Sequence, residues 1–70
     1  MITLTGQESS VLAAIAFDPH GSYADELRLT LSGDALEIAK AISGKEFLWR
    51  KDIHDAALAF ISWAKSIRNK

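Results

Sequence analysis

Seventy residues that are 49% hydrophobic and 24% charged, with net charge −1 and no cysteine, describe one folded domain spanning residues 1–70. They exclude a disordered chain, a disulfide scaffold and a thiolate metal cluster. A domain of this size buries only about 60% of its unfolded surface, so a dense core or self-association must carry its stability.

In chain order, "ITLT" alternates apolar and polar residues from Ile2 to Thr5, a short strand pattern. "VLAAIAF", from Val11 to Phe17, is the longest apolar run and reads as a buried strand. It falls well short of the roughly 18 residues of a membrane span. It begins ten residues in with no basic segment before it, unlike a secretion signal, so a cytoplasmic protein is expected. "DPHG" places Pro19 and Gly21 at positions that suit a type I turn. "LRLTL" sets Leu27, Leu29 and Leu31 against Arg28 and Thr30, the clearest period-two signal in the chain.

The period then changes. Ala35, Ile38, Ala39 and Ile42 share a helical face, with Asp34 and Glu37 spaced as a capping box and Gly44 at the end. A longer helix begins near Asp52. On it Ile53, Ala56, Ala57, Phe60, Ile61, Trp63, Ala64 and Ile67 fill an arc of roughly 160°. The expected fold is α+β: a two- or three-stranded antiparallel sheet followed by helices over 34–43 and 52–68.

An all-α parse is the alternative. "TGQE" is also a capping box, from Thr5 to Glu8, ahead of a stretch rich in helix formers. A helix from Ser22 would align Ala24, Leu27 and Leu31. With "SGD" as a turn, residues 22–42 resemble a helix-turn-helix unit with Leu27, Leu31, Ile38 and Ile42 as its core. Arg28 stands where that family usually has a small buried residue, and Gly33 where its turn usually carries an apolar one. The resemblance implies nucleic-acid binding, yet the would-be recognition helix has Lys40 as its only cation. On the strand side, "SSVLAAIAFDP" resembles the opening strand and turn of the small KTSC family. The aromatic and glycine-rich pattern expected downstream is missing, and no function follows from the resemblance.

No catalytic constellation emerges. His20 and His54, with Asp18, Asp25 or Asp55, fall short of a metal-ligand set in identity and in number. No serine sits in a nucleophile motif, and the four glycines are too scattered for a phosphate loop. The expectation is therefore a non-enzymatic protein with no cofactor, no metal and no small-molecule substrate.

Charge is uneven along the chain. Residues 1–39 hold six carboxylates against Arg28 alone, while residues 40–70 hold seven cations against three carboxylates. The basic half, with Trp49 for base stacking, is the material a nucleic-acid binder would use: Lys45, Arg50, Lys51, Lys65, Arg68 and Lys70. The leading expectation is instead a small protein-binding or regulatory module of adaptor or inhibitor type. Its partner is another protein or a second copy of the chain. Trp49, Arg50, Leu58, Ile61 and Trp63 form the expected contact, because tryptophan and arginine concentrate at interface hot spots.

Overall fold

The computed structural model describes residues 2–44 and 50–68. These residues form four helices: α1 (Gly6–Phe17), α2 (Ser22–Arg28), α3 (Gly33–Ile42) and α4 (Lys51–Arg68). No strand occurs among the described residues. The expected α+β fold is thus overturned, and the all-α alternative describes the molecule.

Local chemistry explains why helix wins in the first half. The Thr5 hydroxyl accepts a hydrogen bond from the Glu8 backbone N–H at 3.1 Å, and the Glu8 carboxylate accepts one from the Thr5 N–H at 3.0 Å. This reciprocal capping box satisfies two amide groups that a helix start would otherwise leave orphaned. Beyond it, Leu12, Ile15 and Ala16 fall at i, i+3 and i+4 and are all buried. The unbroken run from Val11 to Phe17 has no period of its own, so the cap and the neighbouring helices decide its conformation. The strand expected here, including the one implied by the KTSC resemblance, is replaced by α1.

The Asp18–Gly21 turn closes as expected, with the Gly21 N–H donating to the Asp18 carbonyl at 3.3 Å. The leucines of "LRLTL" do not share a sheet face. Leu27 lies in α2 and packs partly against the core, Leu29 is 86% exposed, and Leu31 is buried. The segment after α2 winds on in short i→i−3 bonds from Leu29, Thr30 and Leu31. The Thr30 hydroxyl also donates to the Leu27 carbonyl at 2.7 Å. This extra local bond favours a tight coil over an extended chain.

The two helices expected over 34–43 and 52–68 appear as α3 and α4 with ends moved by a residue or so. The start of α3 differs in detail. Asp34 does not cap it; Ser32 is the cap residue and makes no side-chain bond there. Gly33 turns the chain with φ of 61°, a left-handed conformation that costs a residue with a side chain roughly 1 kcal/mol or more. Gly44, at φ 70°, ends α3 as its position predicts.

Among the described residues, Leu12, Ile15, Ile38 and Ile53 are the large fully buried side chains, one or two from each of α1, α3 and α4. α4 packs on α3 and α1, while α2 packs on α1 and α3. Leu31, Ile42 and alanines at 16, 24, 35, 39, 57 and 64 complete the core. The alanines let the helix axes approach closely. They also leave much of the large apolar side-chain volume outside the core.

Candidate binding surface

The molecule carries two surfaces of different character. The first lies where α1 meets α4. Here the Phe17 and Trp63 rings touch edge to face, with centroids 6.3 Å apart and planes at 69°. Edge-to-face contact suits the ring quadrupoles. Yet both side chains remain open to solvent, Phe17 at 40% and Trp63 at 45% of full exposure, with Ile67 exposed beyond them. Beside the ring pair runs an open groove of about 390 Å³, lined by Ser9, Ser10 and Ala13 from α1 and Ala59, Phe60 and Trp63 from α4. Its lining is almost wholly apolar. The cause lies in the sequence of α1: seven consecutive apolar residues circle the helix, so burying Leu12, Ile15 and Ala16 leaves Ala13, Ala14 and Phe17 on the outer sides. A helix that is apolar on every side calls for cover on every side.

The second surface belongs to α2 and α3. A groove of about 620 Å³ runs between Asp25, Glu26, Arg28, Leu29, Leu31, Leu36 and Lys40. It mixes both charges with the outlying Leu29. Below it, the Arg28 side chain is only 12% exposed and pairs with the Asp25 carboxylate. Its guanidinium also donates to the Ser43 hydroxyl at 2.6 Å. Ser43 is buried and in turn donates to the Ala39 carbonyl at 3.1 Å, with the Pro19 carbonyl 3.4 Å away. Arg28 therefore joins α2, the end of α3 and the α1–α2 turn, which explains how the unit accommodates a long charged residue at this position.

The expected contact residues scatter. Trp49 lies outside the described residues, as does Lys45. Arg50 is half exposed, but its guanidinium is committed to Asp34 at 2.9 Å and Asp52 at 2.7 Å. The Asp52 and Asp34 hydrogen bonds hold the Arg50 pKa above its ordinary value. The hydrogen bond from Arg50 likewise draws the Asp52 carboxyl below the usual range. Lys51, bonded to Asp55 at 2.7 Å, is raised by that contact. Leu58 is 50% exposed and Ile61 is half-buried against the core. Leu58 and Trp63 are five residues apart, hence about 140° apart around the helix. They do not share a patch, and only Trp63 stands on the α1–α4 face. The residues missed from sequence are Phe17, Ala13 and Ala59. The signal for Phe17 and Ala13 was the Thr5–Glu8 cap, which makes α1 a helix and brings Phe17 beside Trp63.

Among the described residues no group of three or more His, Asp or Glu side chains gathers as a metal site would require. No helix among them is long and apolar enough to cross a membrane. Neither a family model, nor a curated protein, nor a solved structure matches this chain.

Proposed function

We propose that this chain is a non-enzymatic binding module whose working surface is the apolar α1–α4 face, with another protein surface as its partner. The observation that carries the reading is the half-exposed Phe17–Trp63 pair beside an apolar groove. Contiguous exposed apolar area rimmed by polar residues marks protein interaction sites, and tryptophan concentrates at their centres. Replacing Trp63 with a photo-reactive phenylalanine analogue in producing cells tests it. The reading predicts protein adducts at position 63 and none when the same group stands at Glu37. Adducts at 37 alone, or to nucleic acid alone, contradict it.

A second reading has its own support. α2, a four-residue turn and α3 have the order and lengths of a helix-turn-helix unit. Leu31, Ile38 and Ile42 are buried, and Leu27 partly so, as such a unit needs. The all-helical fold supplies the helices that a helix-turn-helix reading needs, whereas the sheet tied to the protein-binding expectation is gone. Surface chemistry weighs the other way. Asp34 and Glu37 are exposed on α3, where a recognition helix would meet phosphates, and like charge there opposes docking. Fluorescence anisotropy with labelled duplex and single-stranded DNA at low salt separates the two. Affinity that falls steeply with added salt, and is lost in Lys40→Glu, would install the second reading in place of the first.

A further inference from the structure

Resting on the protein-binding reading, we infer that the occupant of the α1–α4 face is a second copy of this chain, paired about a two-fold axis along the groove. Shape comes first. The groove sets small residues, Ser9, Ser10, Ala13 and Ala59, directly beside the protruding Trp63. A two-fold axis running along the groove, in the plane of the interface, lays each α1 on the α4 of the partner, so each Trp63 enters the small-residue hollow of the other copy. An isologous interface needs this kind of self-complementarity.

Charge agrees with the pairing. α1 carries no cation and is bracketed by Glu8 and Asp18, whereas α4 ends in Lys65 and Arg68. Setting the Asp18 end of α1 against the C-terminal end of the partner's α4 therefore opposes unlike charges at that part of the rim. A net charge of −1 per chain offers little long-range repulsion between copies. Stability points the same way, because a domain this small, with four large side chains fully buried among the described residues, gains most from covering a second apolar face.

Area sets the strength. Helices of 12 and 18 residues, side by side, present a face roughly 20 Å square, on the order of 400 Å² in plan. A standard stable interface buries about 800 Å² of accessible surface per partner. The pair is thus at the small end, and it dissociates on dilution.

Sedimentation equilibrium on the full chain from about 5 to about 500 µM tests this, since mass action makes the dimer fraction rise with concentration. The expected result is a monomer–dimer equilibrium for the wild type, lost in Ala59→Glu. Ala59 is exposed and glutamate is a strong helix former, so helical circular dichroism stays unchanged in that variant. Ser10→Glu reads the same effect from the α1 side if Ala59→Glu should lose structure. Leu58→Glu, on the other flank of α4, keeps the dimer. A wild type that is monomeric throughout, a dimer that survives both groove variants, or loss through Leu58→Glu each overturns the pairing. A monomeric wild type that still gives protein adducts at position 63 removes only this inference; no adducts at all removes the binding reading as well.

Discussion

The two sides of this molecule are held together by different forces. On the α2–α3 side, specific polar contacts fix the geometry: Arg28 spans Asp25 and Ser43, and Ser43 reaches the Ala39 carbonyl. On the α1–α4 side, contact is apolar, and two of its large side chains, Phe17 and Trp63, stay open to solvent while Phe60 packs against the core. The first side spends its chemistry on holding its own shape. The second leaves unlike and complementary shapes facing solvent. The contrast teaches where each side's substitutions should register: in folding on one, in association on the other.

Four predictions can break or sharpen that contrast. The largest effect belongs to the core both sides share. Ile38→Ala removes a fully buried side chain and is expected to cost about 3 kcal/mol in a urea titration. Next is Arg28→Ala, which strips a charged donor from the buried Ser43 hydroxyl. A loss of about 2 kcal/mol of folding stability is expected, with no change in self-association. If Arg28→Ala changed association and left folding alone, the division of labour between the two sides would be wrong. Gly33→Ala should follow at about 1 kcal/mol, because the left-handed φ of 61° penalises any side chain although nothing crowds a Cβ there.

The smallest effect is electrostatic. The Asp52 carboxyl is held low by Arg50, so its contribution to stability is present at neutral pH and is lost as pH falls through the folded value, below about pH 4. Lys51 is raised by Asp55, so its contribution persists through neutral pH and is lost only above about pH 10. These groups are exposed, so a thermal midpoint measured between pH 5 and about pH 9 should be nearly flat. A pronounced slope in that window would show that other titrating groups govern stability.

How much of this was legible in the residues depends on the length of each pattern. α4 repeats its apolar stripe over five turns, and α3 over nearly three, so their existence and faces were readable. "LRLTL" offered only five residues, too few to separate alternation from a helix end. Leu29, the residue that made the alternation, is the one that faces solvent. "VLAAIAF" had no period at all, and the local signs of its state were the Thr5–Glu8 cap a few residues upstream and the helix formers that follow it. The surface followed from the same error. Trp63 was readable as an outlying aromatic on α4, but its neighbours Phe17 and Ala13 become visible only once α1 is a helix lying against it. Asp34 illustrates a subtler limit: its position fits a cap, yet the Arg50 guanidinium, sixteen residues away, takes its carboxylate.

The most direct test of the account is the emission of Trp63 in a Trp49→Phe variant as concentration rises from about 1 to about 500 µM, a range chosen to cross a weak dimer's midpoint. The account predicts that the half-exposed indole passes from water into an apolar groove, moving its emission maximum to shorter wavelength, and that Ala59→Glu abolishes the shift. An emission maximum that stays fixed across the whole range would contradict the claim that this face is covered by a second copy.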